Sequence, residues 1–387
     1  MIKIAFFSVA LNHHQAPLAD ELFELTNHSF VFVELCSPCV NNTKGSIVDY
    51  SGRPYLIKAW GSVEERERAR EVALTAEVAL FGAGLEYLRL RMGKGLLSFE
   101  VGERWLKRGW INILSPRLLK NLWYYHFYRW KDKPIYKLCA SAYGALDQYR
   151  LHSFINRCYK WGYFTKAEDI DVKKKSVNDG NSNSVSIMWC ARFLSWKHPE
   201  TIPYLAYMLK KNGHNVNIDM YGSGGKMGAT EVLCKKLGVD DIVCLKGNVS
   251  NSEVNIAMRQ HDIFVFTSDK NEGWGVVLNE AMSNGCAVVA SNEIGAVPFL
   301  IKDGENGFVF KFGDIESLYD KVVSLIEDPD RRCQMSVKAY QTITEAWSPR
   351  QAAKNLLQLI SDLQQGADTS IKEGPCSKAQ PSIIRYA

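Results

Sequence analysis

The sequence has no run of apolar residues that could cross a membrane. A spanning helix needs roughly 18 or more consecutive apolar residues, and every apolar run in this sequence is shorter. Residues 1–14 also lack the layout of a secretory signal with a small-residue cleavage site, and they are more typical of a first buried strand. We therefore expect a cytoplasmic protein, which could still lie peripherally on the inner face of the cell membrane.

Paired cysteines are also rare. The sequence holds ten cysteines, but only Cys36 and Cys39 have the spacing of a redox or zinc motif. A single pair is too few for structural zinc, and the polar residues after it predict a loop rather than the helix of a thioredoxin-like centre. Several other cysteines stand in apolar runs, where a free thiol behaves as a small hydrophobe. This usage indicates a reducing cytoplasm.

The net charge is small, although one stretch is strongly basic. A formal net charge of +5 is too low to indicate a nucleic-acid-binding protein. Residues 104–137, however, contain nine basic residues against one acid, Asp132, with nine aromatic residues among them. Because basic side chains are drawn to anionic lipid headgroups and Trp and Tyr favour the interface, this stretch predicts an anionic membrane surface as a partner. An ordinary helix with inward aromatics is the main alternative, and single-stranded nucleic acid is a weaker one.

Alternating strand and helix patterns predict an α/β protein of two domains. Apolar runs of strand length alternate with helical patterns in residues 1–165 and again in residues 185–348. The length of 387 residues suffices for two domains of ordinary size. Residues 166–184 are polar and predict a linker. Residues 349–364 form a last helical pattern, and the polar tail 365–387 is expected to be disordered.

Two glutamates stand out in residues 262–291, where a strand, a loop, a helix and a second strand follow one another. Glu272 follows the first strand, and the carboxyl ends of parallel strands form the ligand crevice of open α/β sheets. It also precedes a helix N-terminus, which attracts anions. Glu280 lies on the apolar face of that helix, where a carboxylate is costly unless it accepts hydrogen bonds. The hydroxyl groups of a ribose or hexose would supply such donors.

Two basic residues follow the strand predicted at residues 185–191. Arg192 and Lys197 should face the same crevice as Glu272, because they too stand after the carboxyl end of a strand. Arg presents a planar fork to phosphate oxygens, and Lys presents a mobile point charge. Fixed cations at this place would stabilise the charge that develops on a leaving diphosphate.

A glycine-rich turn follows the next strand. Gly222 and Gly224 would let the backbone approach a phosphate closely. The same turn half-matches a dinucleotide-binding fingerprint, which also requires an acid about 20 residues further on, at the end of the next strand. Asp240 and Asp241 stand before that strand instead, which disfavours a dinucleotide.

The loop after the first predicted strand is rich in hydrogen-bonding side chains. His13, His14 and Gln15 offer more donors and acceptors than a turn requires. They should stand at the carboxyl edge of the first sheet, where ligands bind. A second ligand-binding loop in the first domain is therefore one interpretation, and a polar surface loop is the other.

Residues 272–285 read E-G-W-G-V-V-L-N-E-A-M-S-N-G. This segment resembles the signature of the retaining, nucleotide-sugar-dependent glycosyltransferases of the GT-B fold, family 4, in which two glutamates are likewise separated by seven residues. The resemblance covers residues 185–365 and is looser before them. It implies two Rossmann-like α/β domains that face each other across a cleft. The acceptor would bind to residues 1–165 and the nucleotide sugar to residues 185–348, with helix 349–364 crossing back to the first domain.

The resemblance also implies roles for individual residues. It implies a hexosyltransferase that needs no metal and no cofactor, because Arg192 and Lys197 carry the charge of the leaving diphosphate. In the resembled family these cations stand in G-R-x-x-x-x-K-G, and here Ala191 and His198 replace the two glycines. The expected catalytic residues are Glu272, Arg192 and Lys197, the donor-binding residues are Glu280, Gly222, Gly224, Asn248, Val249, Gly273, Trp274 and Gly275, and the acceptor-side residues are His13, His14 and Gln15.

The expected reaction moves a sugar from a nucleoside-diphosphate sugar to a hydroxyl of a glycan or a lipid-linked acceptor, in cell-surface polysaccharide synthesis. Two alternatives stay open, an NAD-dependent oxidoreductase and a non-catalytic sugar-nucleotide-binding protein of a membrane surface. Asp169 and Asp171 have the Asp-x-Asp spacing of some metal-dependent glycosyltransferases. They lie in the predicted linker before three lysines, and we expect no metal there.

Overall fold

The computed structural model describes residues 2–38, 48–107, 109–173 and 184–381. Cys39, Arg108 and residues 174–183 of the predicted linker lie outside these ranges. The chain divides into two compact units. Within the described ranges, the first unit holds residues 2–166 and 347–381, and the second holds residues 167–346.

The first unit is built on a seven-stranded parallel sheet with the order β3-β2-β1-β4-β5-β6-β7. Its strands are β1 (Ile4–Ser8), β2 (Phe30–Glu34), β3 (Leu56–Lys58), β4 (Val78–Phe81), β5 (Ser98–Gly102), β6 (Ile135–Cys139) and β7 (Cys158–Lys160). The connecting helices are α1 (Ala16–Leu25), α2 (Val63–Thr75), α3 (Leu85–Lys94), α4 (Pro116–His126) and α5 (Gly144–Arg150), with short 3-10 turns at Gly109–Leu114 and Trp130–Asp132. All residues of the central strands β1 and β4 are buried, as expected for strands covered by helices on both faces.

The second unit is built on a six-stranded parallel sheet with the order β10-β9-β8-β11-β12-β13. Its strands are β8 (Val185–Cys190), β9 (Val216–Tyr221), β10 (Val243–Gly247), β11 (Ile263–Phe266), β12 (Ala287–Ser291) and β13 (Phe308–Phe310). Its helices are α6 (Thr201–Lys211), α7 (Met227–Leu237), α8 (Asn251–Gln260), α9 (Val277–Ser283), α10 (Val297–Leu300), α11 (Ile315–Ile326) and α12 (Pro329–Gln341), and a π-helical turn follows at Thr342–Ala346. The predicted α/β class with parallel sheets is confirmed.

In each sheet the strand order reverses at one place. The reversal lies between β1 and β4 in the first sheet and between β8 and β11 in the second. In open α/β sheets a ligand binds outside the carboxyl ends of the two strands at such a switch point. The loops that follow β1, β8 and β11 are therefore expected to line ligand-binding sites.

None of the helices in the described part of the chain combines the length and hydropathy required to cross a membrane.

The described residues 365–381 pack on the first unit, so the prediction of a disordered tail is wrong for them. Helix α13 (Pro349–Gln364) packs against α1. Beyond it, the backbone N–H of Cys376 donates to the Lys160 carbonyl at 2.7 Å, and that of Ala379 donates to the Cys158 carbonyl at 3.0 Å. Cys376 is fully buried. The polar composition of the tail hides these backbone bonds, which cover the exposed edge of β7.

A buried arginine should stabilise the first unit strongly. Arg91 in α3 is fully buried, and its guanidinium group donates five hydrogen bonds of 2.7–3.1 Å. The acceptors are the carbonyls of Ala73, Ala76, Glu77 and Leu97 and the hydroxyl of Ser98. We expect Arg91→Met to lower the free energy of unfolding by at least about 3 kcal/mol, because it leaves several buried acceptors unsatisfied.

Chemical denaturation of Arg91→Met measures this loss. The matched control is Arg89→Met on the same helix, because Arg89 is exposed and lies over the Tyr124 ring at 5.1 Å. We expect the control to change stability by less than about 1 kcal/mol. Equal losses in the two variants would contradict the role assigned to the hydrogen-bond cluster.

Candidate functional site

The predicted catalytic residues stand at the switch point of the second sheet. Arg192 and Lys197 follow β8, and Glu272 follows β11. These two strands pair in parallel, with Ile263 beside Ile187. Their carboxyl ends therefore open at the same edge, which brings the loop of the two cations next to the loop of the glutamate.

Lys197 and Glu272 form an ion pair at this edge. The Lys197 ammonium contacts the Glu272 carboxylate, and the two side chains are only 12% and 15% exposed. The Ser268 hydroxyl donates to the same carboxylate oxygen at 3.2 Å. The Thr267 hydroxyl donates to the Lys197 carbonyl at 2.6 Å, and this bond ties the two loops together. The structure thus joins two of the three predicted catalytic residues.

Arg192 is placed differently from Lys197. Its side chain is exposed, and within the described ranges it forms no ion pair. An anionic ligand at this edge would therefore find one cation held by Glu272 and one cation without a carboxylate partner. This arrangement suits a diphosphate, because the free guanidinium group can bind phosphate without first leaving another anion.

The glycine turn after β9 supports the Arg192 loop. A Cβ atom at Gly222 would lie 2.0 Å from the Ala191 carbonyl oxygen, and one at Gly224 would lie 2.6 Å from the Phe193 carbonyl oxygen. Gly222 also donates its N–H to the Gly247 carbonyl at 2.7 Å. Both glycines are therefore required by the close packing of backbone against the β8 loop. A contact of this turn with a phosphate stays a prediction.

Glu280 is buried in α9, as the sequence predicts. Its side chain is 7% exposed, and the Asn251 amide donates to its carboxylate at 3.1 Å. Burial raises the pKa of Glu280 to about 7, although the Asn251 hydrogen bond opposes the shift. Burial raises the pKa of the nearby Cys190 thiol to about 12, and the Glu280 carboxylate contributes to this rise. Glu280 is therefore poised to change its protonation state near neutral pH.

Asn251 is a site residue that the sequence analysis missed. Helix α8 begins at Asn251 with Ser250 as its N-cap. Ser250 and Glu253 form a capping box, a pattern that was readable in the sequence. The box fixes Asn251 in the first helical turn, from which its side chain reaches Glu280.

The Trp274 side chain belongs to the core. It is fully buried, and its indole N–H donates to the Asn279 side chain at 2.8 Å. The contact of Trp274 with the nucleotide sugar stays a prediction. The neighbouring Gly275 has a φ of +90°, and a Cβ atom there would lie 2.6 Å from the Phe266 ring. Gly273 is buried between Glu272 and Trp274.

His198 occupies a position where the resembled family has glycine. Its φ of +49° is left-handed, which explains why glycine suits this position. Its Nδ1 lies 2.9 Å from Glu200 Oε1 and its Nε2 lies 3.2 Å from Asp269 Oδ2. These contacts, with Glu200 foremost, raise the pKa of His198 although burial opposes them. His198 therefore bridges the loops after β8 and β11, a role that the sequence analysis missed.

Asn248 and Val249 stand after β10, two strands from β8 in the sheet order. Asn248 is exposed and Val249 is half-buried. They lead directly into the Ser250 cap and so to Asn251. Their contact with the nucleotide sugar stays a prediction.

The acceptor-side residues stand at the switch point of the first sheet. The His13, His14 and Gln15 loop follows β1, and Gln15 is the N-cap position of α1. The His13 and His14 rings lie 3.5 Å apart between centroids, and the Gln15 amide donates to the Ser8 hydroxyl at 3.1 Å. His14 also lies near Tyr163, with 6.0 Å between ring centroids. Their role toward an acceptor stays a prediction.

Comparison with known proteins agrees with this geometry. Residues 171–342 match the family described as "Glycosyl transferases group 1". The chain is 28% identical over 126 residues to the N-acetyl-alpha-D-glucosaminyl L-malate synthase of Bacillus anthracis, which covers 33% of this chain and 32% of that protein. It is 28% identical over 173 residues to the poly(glycerol-phosphate) alpha-glucosyltransferase of Bacillus subtilis, which covers 44% of this chain and 25% of that protein.

Among solved structures, HepE of Anabaena in complex with UDP has a TM-score of 0.67 at 15% identity. The match covers 93% of this chain and 100% of HepE, and it shows a common fold. The two curated relatives, in contrast, are matched over a third of their own length or less. The chain has the GT-B fold, and residues 171–342 of its second unit match the model of the group 1 glycosyltransferases.

Proposed function

We propose that this protein transfers a sugar from a nucleoside-diphosphate sugar to a hydroxyl of a glycan or lipid-linked acceptor, with retention of anomeric configuration. The observation that carries the proposal is the Lys197–Glu272 ion pair at the switch point of the second sheet, with the exposed Arg192 on the adjoining loop. The match of residues 171–342 to the group 1 glycosyltransferases supports it, and so does the likeness to HepE, which was solved with UDP. We place the reaction in cell-surface polysaccharide synthesis.

In this proposal the two cations act on the leaving group. The bond between the anomeric carbon and the diphosphate breaks, and negative charge grows on the leaving phosphate. Arg192 and Lys197 stabilise that charge, so the step needs no metal ion. A bond forms between the anomeric carbon and the acceptor oxygen on the same face, and the leaving phosphate oxygen takes the acceptor's proton.

Glu272 and Glu280 would hold the donor in position. The Glu272 carboxylate accepts hydrogen bonds from sugar hydroxyls near the reacting carbon, while Lys197 remains at its side. Glu280 accepts hydrogen bonds from the ribose, and these replace the solvation that it loses in its buried position. Such positioning is a large part of catalysis, because it holds the reacting groups in one geometry.

The pKa of Glu280 leads to a testable pH dependence. Ribose hydroxyl groups donate stronger hydrogen bonds to a carboxylate than to a protonated carboxylic acid. Binding of the nucleotide sugar should therefore lower the pKa of Glu280 from about 7 and release a proton. We expect donor affinity to rise with pH below about 7, by up to about tenfold per pH unit. The stability of the protein without donor depends on pH in the opposite direction to donor affinity. The contribution of Glu280 to the free energy of unfolding is full below pH 4.5 and is lost as the pH rises through 7.

Calorimetric titration of the donor in two buffers of different ionisation enthalpy measures the released proton. Glu280→Gln should remove the proton release, whereas Glu231→Gln on an exposed helix face of the same unit should keep it. Proton release that survives in Glu280→Gln would assign the linkage to another group.

Nuclear magnetic resonance tests the reaction itself. Phosphorus spectra should show release of a nucleoside diphosphate when the protein is incubated with its donor, even by slow hydrolysis without an acceptor. Proton spectra recorded before mutarotation should show that the first free sugar keeps the anomeric configuration of the donor. An inverted first product would overturn retention, and no release from UDP-, GDP-, ADP- or dTDP-sugars would overturn the proposed activity.

A further inference from the structure

Exposed apolar side chains are concentrated in one short part of the first unit. Among the described residues, eighteen large hydrophobic side chains are exposed, and seven of them lie between residues 110 and 128. The seven are Trp110, Ile111, Leu114, Leu119, Trp123, Phe127 and Tyr128, and their exposed fractions range from 50% to 76%. Scattered exposed apolar residues need no explanation, but a contiguous group of this kind marks an interaction surface.

The turn Gly109–Leu114 and helix α4 carry five of these residues, and Phe127 and Tyr128 follow directly after α4. The inward face of α4 holds Leu118, Tyr124 and Tyr125, which are buried. Leu119, Trp123 and Phe127 recur every four residues and therefore share the outward face. The Trp123 and Phe127 rings stack with 4.4 Å between their centroids. Helix α4 thus packs one apolar stripe inside the unit and presents a second one outside.

The outward stripe is bordered by cations. Arg117, Lys120 and Lys131 are exposed, and within the described ranges none of them forms an ion pair. The one acid of the stretch, Asp132, is paired with Arg129. An exposed lysine or arginine without a carboxylate partner is available to an anionic surface.

Several other basic and aromatic residues of the stretch are paired or buried, which corrects the expectation of one continuous surface. Arg104 pairs with Asp147, Lys107 pairs with Glu103, and Lys137 pairs with Glu100. Tyr124, Tyr125 and Trp130 are core residues. Residues 104–137 are therefore neither a uniform lipid-facing surface nor an ordinary core helix. The exposed apolar and unpaired basic side chains lie between residues 110 and 131, interspersed with core residues.

We propose that the outward face of Gly109–Leu114 and α4 docks the protein on an anionic lipid bilayer. Aliphatic and aromatic side chains enter the boundary between headgroups and acyl chains, and flanking cations bind anionic headgroups. The aliphatic side chains of Ile111, Leu114 and Leu119 cannot stack on a nucleic-acid base as an aromatic ring does, which disfavours nucleic acid as the partner. In a symmetric dimer through this face, the unpaired Arg117 and Lys120 of one copy would lie close to those of the other. This repulsion between like charges disfavours such a dimer.

Vesicle co-sedimentation tests the docking without any donor or acceptor, so its outcome does not depend on the proposed reaction. The full chain should bind vesicles of equal parts phosphatidylglycerol and phosphatidylcholine, and bind pure phosphatidylcholine at least about tenfold less. Added salt should weaken the binding because it screens the charges. Arg117→Glu with Lys120→Glu, and separately Trp123→Ser with Phe127→Ser, should each reduce binding at least about tenfold.

Matched controls lie on the second unit. Lys235→Glu with Lys236→Glu makes the same charge change on an exposed helix, and Tyr204→Ser with Tyr207→Ser removes two exposed aromatic rings from α6. Both controls should bind vesicles as the wild type does, and thermal melting should show all variants folded. Failure of the wild type to bind anionic vesicles at low salt, or equal losses in test and control variants, would overturn the proposal. A dimer that dissociates in Trp123→Ser with Phe127→Ser, without vesicle binding, would assign the face to a second copy instead.

Discussion

Lys197→Ala and Arg192→Ala should each lower kcat by about 10²–10³, the scale for losing one electrostatic stabiliser of a transition state. Both cations stand after β8 at the switch point, and in the proposed mechanism they act on the phosphate on which charge develops. Their expected costs differ in origin. Lys197→Ala also leaves the Glu272 carboxylate, 15% exposed, without its cation, so it should disturb the sugar-binding group as well. Arg192→Ala should affect the diphosphate alone.

Steady-state kinetics with saturating donor measures both effects. Lys236→Ala is the matched control, because Lys236 is an exposed lysine of the same unit, on α7. Its kcat should stay within about twofold of the wild type. Normal turnover in both Lys197→Ala and Arg192→Ala would remove these residues from the leaving-group site.

Gly222→Ala should destabilise the second unit by about 3 kcal/mol or more, as the sum of backbone strain and overpacking. Gly222 has a φ of +124°, which L residues rarely adopt, and its Cβ atom would lie 2.0 Å from the Ala191 carbonyl oxygen. The added methyl group cannot be accommodated by a side-chain rotation, because the atom that it meets belongs to the backbone. Since that backbone continues into Arg192, the substitution should reduce kcat together with stability.

Gly225→Ala is a control within the same turn. Nothing lies within 4 Å of a Cβ atom at Gly225, and its φ is not left-handed. Chemical denaturation should therefore show little change for Gly225→Ala and a large loss for Gly222→Ala. Equal stability of the two variants would show that the turn can move away from β8 without cost.

The parts of the site that the sequence predicted are those that follow from local rules. The apolar runs at residues 263–266 and 287–290 predict two parallel strands, and the structure confirms that they pair directly. Glu272, Lys197 and Arg192 each stand after a strand, so their common edge follows from parallel topology alone. The inward position of Glu280 follows from helical spacing.

The residues that the sequence analysis missed depend on contacts between distant segments. His198 meets Asp269 across 71 positions, and Asn251 meets Glu280 across 29 positions. No local sequence pattern predicts these two contacts. The burial of the Trp274 ring and its bond to Asn279 are likewise absent from any local pattern. The strands β7 and β13 have three residues each, which is too few for a periodic pattern in the sequence to indicate a strand.

A thermal-shift screen tests most directly the central claim that the second unit binds a nucleoside-diphosphate sugar. UDP-, GDP-, ADP- and dTDP-sugars would be compared with NAD⁺ and NADH on the full chain. At about 100 times the dissociation constant, at least one sugar nucleotide should raise Tm by about 2 °C or more, and NAD⁺ and NADH should not. A rise with NAD⁺ or NADH and none with any sugar nucleotide would contradict the account and favour an oxidoreductase.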